Sequence, residues 1–193
     1  MEMGNHMRML MSCLAALAWT AAAHAEPLSY DYAYLSHQEV DTENGRANND
    51  VFGMHYELGK HLHVFGSYGD AGAYGNPSWK DSRALRLGLA GRRLFGENTM
   101  LAFKAAVVRA QFDRPTGETV KDDGTSLILE VRHRFKPWLE VIASGSRNDV
   151  LGWKTTEYVA GPVFHVHQRV ALGALYRRIE GNAGFEATLR WYY

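Results

Sequence analysis

The sequence has one cysteine, no excess of either charge and one long apolar run. Cys13 lies within that run, so the rest of the chain cannot form a disulfide or a thiol-based active site. Lysine plus arginine and aspartate plus glutamate both number 21, and this balance gives no overall attraction to nucleic acid. Any partner must therefore be recognised through local features of the chain.

The N-terminus has the layout of an export signal. Arg8 is followed by the apolar run 9–22 and by a small-x-small cleavage site, Ala-His-Ala, at 23–25. We expect a signal peptide over 1–25, cleaved on export, and a single mature domain over 26–193. The apolar run of about fourteen residues is shorter than the roughly 20 that span a bilayer as a helix. The mature chain should therefore have no transmembrane helix.

Two details of this segment stay open. Either Met1 or Met7 is the native start, since Met7 already precedes a positive residue. A lipoprotein reading of Cys13 is less favoured, because a lipidated cysteine follows the apolar region instead of lying inside it.

The last nine residues, 185–193, alternate between apolar and polar side chains. Phe185, Ala187, Leu189, Trp191 and Tyr193 share one side of a strand, and Glu186, Thr188, Arg190 and Tyr192 share the other. A closing strand that ends in aromatics is typical of bacterial outer-membrane barrels.

The same alternation recurs along the whole mature chain. Strands are predicted around 28–34, 52–58, 62–68, 85–90, 101–107, 127–132, 139–144, 157–164, 169–177 and 185–193. Odd connections are mostly long and even ones mostly short, as in barrels with short periplasmic turns and longer outer loops. We therefore predict an all-β fold, a closed antiparallel up-and-down transmembrane β-barrel of ten strands, with eight as the alternative count.

The face opposite the apolar one carries charges of both signs among glycines and alanines. These residues are Asp31, Glu57, Arg86, Lys104, Glu130, Arg132, Glu140, Glu157, Arg169, Arg177, Glu186 and Arg190. Small residues among opposite charges suit a narrow lumen of ion pairs, where each buried charge needs a partner. A soluble lipocalin-type barrel, with its apolar side inward, is the alternative. It is less favoured because a soluble exterior is usually richer in lysine and poorer in glycine and alanine.

Aromatic residues near strand ends are expected at the lipid interface, namely Tyr30, Tyr32, Tyr34, Tyr176, Trp191 and Tyr193. The long connections 37–49, 70–81 and 113–125 should lie outside the cell. Tyr74, Trp79 and Arg114 are the residues there that we expect to contact surface sugars or another cell.

Three segments carry a resemblance to a known family: LSYDYAYLS at 28–36, HLHVFGSYGDAG at 61–72 and RALRLGLAG at 83–91. With a mature length of about 168 residues (193 minus 25), the chain resembles the Ax21-like family of small outer-membrane β-barrels from gammaproteobacteria. The resemblance implies insertion by the barrel assembly machinery, release in membrane vesicles and no agreed enzymatic role. The partners expected for a barrel in this location are outer-membrane lipid and lipopolysaccharide, while the extracellular ligand stays open.

Enzymatic chemistry has little support in the sequence. An omptin-type protease needs Asp-Asp and Asp-His pairs; Asp122 and Asp123 with His37 or Asp41 come nearest, but they also suit a solvated turn. A lipid A deacylase needs a His-x-Ser pair, which is absent. The adjacent Ser36 and His37 would point to opposite sides of a strand. We expect no enzyme, and activity on lipid A or peptides ranks third among the functions considered.

Two histidine pairs could grip a metal ion from one side of an extended segment: His61 with His63, and His165 with His167. They belong to turns that are well apart on a ten-strand ring, so they should not converge on one ion. No metal site and no cofactor is predicted.

The expected function is display of extracellular loops for surface structure or adhesion, with no enzymatic step. The alternative is a narrow pore, with an anion path lined by Arg86, Arg132, Arg169, Arg177 and Arg190. Ten strands enclose a lumen that side chains largely fill, whereas water-filled porins use about 16 or more strands.

Overall fold

The computed structural model describes residues 28–42, 45–71, 81–150 and 152–193. The strands are β1 (Tyr32–Thr42), β2 (Gly45–Glu57), β3 (Leu62–Ala71), β4 (Asp81–Phe95), β5 (Thr99–Asp113), β6 (Thr119–Lys136), β7 (Leu139–Val150), β8 (Trp153–His167), β9 (Val170–Ile179) and β10 (Asn182–Tyr192). The proposed signal peptide, 1–25, lies outside the described residues, which begin at Leu28.

Each strand pairs antiparallel with its neighbours in sequence, and β1 pairs with β10 to close the ring. At the seam, Ala33 lies opposite Trp191 and Leu35 opposite Leu189. The prediction of a closed ten-strand antiparallel barrel is confirmed. No helix in the described ranges is long and apolar enough to cross a membrane.

Apolar side chains point away from the barrel axis along every strand. Leu87 is 54% exposed and Leu189 is 42% exposed, and both belong to a continuous outer band. Other members of this band are Leu35, Phe52, Met54, Tyr68, Leu85, Phe103, Val107, Leu127, Leu129, Tyr158, Phe164, Tyr176, Phe185 and Trp191. An apolar surface of this extent is unfavourable in water and favourable against lipid, and it encircles the barrel as outer-membrane barrels require.

The ends of the barrel differ. The turns at 58–61, 96–98, 137–138 and 168–169 lie at the end where β1 begins and β10 ends, which corresponds to the periplasmic end of outer-membrane barrels. At the opposite end, which corresponds to the extracellular end of outer-membrane barrels, β1–β2 and β5–β6 extend past the apolar band. The described parts of these extensions carry charged outward-facing residues between His37 and Asp50 and between Arg109 and Asp123. These two segments are called the extracellular hairpins below.

Two predicted loops are mostly strand. β1 continues to Thr42 and β2 starts at Gly45, so most of 37–49 is paired. In 113–125 the turn covers only 114–118, closed by the Arg114 N–H donating to the Glu118 carbonyl at 2.8 Å. The sequence predicted loops here because the residues of these strand extensions are mostly polar. A strand that lies outside the membrane needs no apolar face, so the alternation that marks the other strands is missing.

The predicted lipid-facing position of Tyr30, Tyr32 and Tyr34 is wrong. Tyr30 and Tyr32 are 0% and 3% exposed and face the lumen, and Tyr34 packs against the same interior cluster. The apolar outward positions of β1 are Ala33 and Leu35. Phenol rings can face a charged interior because the hydroxyl finds hydrogen-bond partners and the ring face attracts guanidinium groups.

Two residues that were predicted to lie in the lumen, Asp31 and Arg169, do not lie there. Asp31 lies at the periplasmic rim, where its carboxylate accepts the Glu57 N–H at 2.6 Å. Arg169 is exposed in the β8–β9 turn, and its N–H donates to His167 Nδ1 at 3.2 Å. Asp31 alternates with Tyr30 and Tyr32, which face the lumen, so its own side chain points away from the lumen. Arg169 belongs to a turn, where the two-residue alternation of a strand does not apply.

Candidate functional site

The lumen is built from alternate residues of all ten strands, because successive side chains on a strand point to opposite faces. As far as the structure describes the chain, its periplasmic and middle parts hold seven cations and five carboxylates. They are Arg86, Arg92, Lys104, Arg132, Arg134, Arg177 and Arg190, with Glu57, Glu130, Glu140, Glu157 and Glu186.

Residues 28–32, called the N-terminal plug, cross the periplasmic side of the lumen. The Tyr30 ring stacks on His63 with centroids 3.9 Å apart, and its hydroxyl donates to the Glu130 carboxylate. Leu28 is 2% exposed. The backbone is held as well, since Arg132 donates to the Ser29 carbonyl at 3.1 Å. The plug therefore fills the interior instead of lying on the rim.

A fully buried ion pair lies beside the plug. Arg132 Nε and Nη2 donate to the two Glu140 carboxylate oxygens at 2.6 and 3.1 Å, and both side chains are 0% exposed. Glu140 also has Arg134 at 3.7 Å and His165 at 3.3 Å. One carboxylate thus serves two guanidinium groups, which leaves this layer with more cationic than anionic groups.

Two further pairs secure the plug. Arg92 donates to both Glu57 oxygens, at 2.5 and 2.7 Å, and Glu57 also accepts the Tyr30 N–H at 2.9 Å. Lys104 lies 2.8 Å from the second Glu130 oxygen, opposite the one that Tyr30 contacts. The plug is therefore tied to β2, β4, β5 and β6 at the same time.

Above the plug is the mid-lumen cavity, of about 140 Å³. It is lined by Tyr32, Tyr34, His55, Phe65, Ser67, Arg86, Lys104, Ile128, Glu130, Ile142, Ser144, Ser146, Glu157, Val159, Leu175, Arg177, Glu186, Thr188 and Arg190. Arg177 bridges Glu157 and Glu186, so one cation neutralises two acids. Four cations and three carboxylates line the cavity in total.

Arg190 differs from the other lumen cations. It is 8% exposed, yet its Nε and Nη1 have no hydrogen-bond partner among the described residues. Its guanidinium carbon lies 5.1 Å from the centre of the Tyr32 ring, a cation–π contact that orients the group without neutralising it. Arg190 therefore brings to the cavity wall a positive charge that has no ion-pair partner among the described residues.

On the extracellular side of the cavity, the lumen is lined by small or neutral side chains. They are Ser36, Gln38, Val40, Ala47, Asn49, Ser82, Val108, Ala110 and Ser126. The Asn49 amide donates to the Gln38 side-chain oxygen at 2.9 Å. This part of the lumen contrasts with the aromatic and charged plug on the other side.

The extracellular hairpins carry exposed ion pairs between neighbouring strands. Arg109 contacts Asp123 at 2.7 and 3.0 Å on β5–β6, and His37 contacts Asp50 at 2.7 Å on β1–β2. The hydrogen bond that Asp50 accepts from the imidazole raises the pKa of His37, and the hydrogen bond that Arg109 donates lowers the pKa of Asp123. Such exposed pairs are screened by water and salt, so they contribute little to stability.

The candidate protease residues do not converge. Asp123 faces outward and binds Arg109, while Asp122 has lumen parity on the same strand. His37 binds Asp50 on a different hairpin. The proposed Asp-Asp pair is therefore split between the two faces of β6.

The two histidine pairs are also divided. His63 is buried against Tyr30 while His61 is exposed in a turn, and His165 contacts Glu140 while His167 is exposed. Within the described residues, no group of three or more histidine, cysteine, aspartate or glutamate side chains is placed to hold a metal ion.

The structure places most of the other predicted site residues. Glu57, Arg86, Lys104, Glu130, Arg132, Glu140, Glu157, Arg177, Glu186 and Arg190 lie in the lumen, and Tyr176, Trp191 and Tyr193 are exposed on the outer face. Arg114 is exposed in its turn and contacts Glu118 at 2.6 Å. Tyr74 and Trp79 lie outside the described residues.

Sequence reasoning missed the plug and two lumen cations, Arg92 and Arg134. Both arginines occupy lumen-facing positions of β4 and β6, and each lies two residues beyond the predicted end of its strand, at 90 and 132. Extending the alternation by one or two residues into the turns would have found them. Leu28 and Tyr30 did belong to the alternation predicted at 28–34, but that alternation was assigned to the lipid face, whereas both residues are buried ahead of β1.

No protein-family model matches the chain, and no curated protein matches it. Among solved structures, it is similar to the KdgM porin in complex with disordered oligogalacturonate, with a TM-score of 0.53 and 8% identity over 84% of this chain and 99% of that one. It is also similar to an outer-membrane channel from Pseudomonas putida F1, with a TM-score of 0.50 and 12% identity over 87% and 98%. The outer-membrane protein Ail from Yersinia pestis gives a TM-score of 0.43 and 11% identity over 83% and 99%.

At these identities, the first two likenesses establish architecture and not activity. Together with the closed ring and the outward apolar band, they identify the chain as a ten-stranded barrel with the fold of outer-membrane β-barrel proteins.

Proposed function

We propose that the protein is a non-enzymatic outer-membrane barrel, closed to ion flow at rest, that displays its extracellular hairpins for surface interaction. The observation that carries the proposal is the N-terminal plug. Tyr30 is fully buried across the periplasmic side of the lumen, and the Arg132–Glu140 pair fills the space beside it. A lumen of ten strands leaves little room for water once such groups occupy it.

The hairpins supply the surface for interaction. Their outward residues are charged and lie past the apolar band, so they are available to lipopolysaccharide or to another cell. Membership of the Ax21-like family, insertion by the barrel assembly machinery and release in vesicles are parts of the same proposal.

Conductance tests the closed lumen. Purified mature protein in a planar lipid bilayer should give no discrete current steps. Stable steps from the unaltered protein would contradict the closed state and favour the second candidate below.

A hairpin deletion tests surface interaction. Arg109 and Asp123 are register partners, so residues 110–122 can be replaced by Asn-Gly, a two-residue turn that keeps the strand pairing. Cells displaying this variant should lose attachment to a lipopolysaccharide-coated surface. The control exchanges Arg114 and Glu118, which preserves both the turn and its ion pair. Equal attachment by the deletion variant and the unaltered protein would contradict a role for this hairpin.

A narrow pore is the second candidate, and the mid-lumen cavity favours it. The cavity already supplies an open volume lined by four cations and three carboxylates, so opening the plug would create a path with a preference for anions. Under this function, the planar-bilayer currents should show anion selectivity.

A further inference from the structure

We propose that the mid-lumen cavity binds a small oxyanion or carboxylate on the Arg190 guanidinium, a binding function beyond display of the extracellular hairpins. Arg190 is more than nine-tenths buried and lines the cavity, and its Nε and Nη1 lack partners in the described part of the chain. A buried donor without a partner is unfavourable, and a buried cation without one is more so. A bound anion would meet both needs.

The carboxylates of the cavity are already engaged. Glu130 contacts Lys104 and Tyr30, and Glu157 and Glu186 share Arg177. None of them forms an ion pair with Arg190, so an anion bound in the cavity would give this guanidinium the ion-pair partner that the cavity walls do not supply.

The geometry limits the class of ligand. Guanidinium groups bind planar carboxylates and tetrahedral oxyanions through paired N–H donors. The Tyr32 ring packs against one flat face of the Arg190 guanidinium, which leaves the N–H groups at the edge of the guanidinium for the ligand. A volume of about 140 Å³ admits a few heavy atoms, such as sulfate, phosphate or the carboxylate end of an acidic sugar.

The direction of entry follows from the plug. Tyr30 and the Arg132–Glu140 pair close the periplasmic side, whereas serines, alanines and short neutral side chains line the extracellular side. The ligand would therefore arrive from outside the cell.

The test follows the Arg190 Nε–Hε resonance by NMR, using the folded mature protein in detergent micelles. Sodium sulfate and sodium acetate are titrated in separate arms, with ionic strength held constant by sodium chloride. Saturable shifts in one or both arms are expected, and the stronger arm distinguishes an oxyanion from a carboxylate. Absence of saturation in both arms would overturn the proposal.

Variants locate the binding. Arg190→Gln should weaken affinity at least tenfold, measured through the backbone amides of cavity residues. The matched control is Arg178→Gln, which removes an exposed arginine from the outer face of β9 and should leave affinity unchanged. Equal affinity in Arg190→Gln and the unaltered protein would overturn the assignment.

A second variant covers the case in which Arg190→Gln does not fold. Ser144→Phe fills the cavity from β7 without altering Arg190, since Ser144 is one of the lining residues. It should abolish the saturable shifts of the Arg190 resonance. Unchanged affinity in folded Ser144→Phe would place the anion elsewhere and contradict the proposal.

Discussion

At the scale of single residues, the interior is organised by charges that must be compensated inside a low-dielectric wall. Arg132 and Glu140 show this most clearly, with two hydrogen bonds and no exposure. The pair need not add net stability over apolar residues of the same size. Breaking it on one side is a different matter, because the remaining charge stays buried.

Glu140→Gln should therefore destabilise the barrel strongly. It leaves Arg132 with no carboxylate and also removes the charge that faces Arg134 and His165. The expected loss is about 3–5 kcal/mol in the free energy of unfolding, measured by urea titration in micelles. Glu118→Gln, in an exposed turn pair, should lose less than about 1 kcal/mol. Similar losses in the two variants would contradict the role assigned to Glu140.

Outside the lipid region, His37 should titrate above its ordinary range because Asp50 accepts a hydrogen bond from its ring and favours the protonated form. A raised folded-state pKa contributes stability that is present below the unfolded value of about 6.5 and is lost as the pH rises through the folded value. NMR titration of the His37 ring should show its midpoint falling in Asp50→Asn. An unchanged midpoint would rule out Asp50 as the cause.

At the scale of elements, the two ends of the barrel differ: the N-terminal plug fills the interior at one end, and the extracellular hairpins extend into water at the other. The plug brings Leu28, Tyr30 and Tyr32 into the interior before and at the start of β1. The hairpins continue strand pairing into water, where only hydrogen bonds and exposed ion pairs hold them. The end that the plug closes corresponds to the periplasmic end of outer-membrane barrels, and the accessible end corresponds to their extracellular end.

Removing the plug aromatics should open the lumen. In Tyr30→Ala/Tyr32→Ala, the ring stacked on His63 and the ring beside Arg190 are both lost, which leaves a void of two phenol rings along the axis. Discrete currents should appear in a planar bilayer where the unaltered protein gives none. Tyr56→Ala/Tyr176→Ala, which removes two exposed outer-face aromatics, is the control and should stay silent. Silence of the plug variant as well would show that other side chains close the lumen.

At the scale of the whole molecule, the apolar band and the charged lumen require opposite surroundings. The outer residues are exposed and apolar on all sides, while the ion pairs are shut inside a closed ring whose backbone groups are paired. Only a closed barrel satisfies every backbone hydrogen bond of strands in lipid.

Folded mature protein should therefore require an amphiphile. Size-exclusion chromatography should give a monodisperse folded species in detergent, and removal of detergent should cause aggregation through the apolar band. A folded monomer that remains dissolved without detergent would contradict the membrane assignment.

Much of the fold could be predicted because strand alternation is a local property of the sequence. The ten segments, the outward direction of Leu87 and Leu189, and the antiparallel order all follow from a two-residue period and the lengths of the connections. Strand ends were less accessible, since β1, β2, β5 and β6 continue through polar residues that carry no apolar signal.

The sequence by itself determined that one face of each strand is apolar and the other charged, and hence that the chain closes into a barrel with its charges inside. Only the tertiary structure decided where each charge finds its partner. Pairing across the lumen depends on shear and on residues far apart in sequence, such as Tyr30 with Glu130 and Arg132 with Ser29. For the same reason, alternation could not reveal that Tyr30 and Tyr32 fill the interior, or that Arg190 has no ion-pair partner among the residues that the structure describes. Both are properties of the enclosed space that ten strands create together.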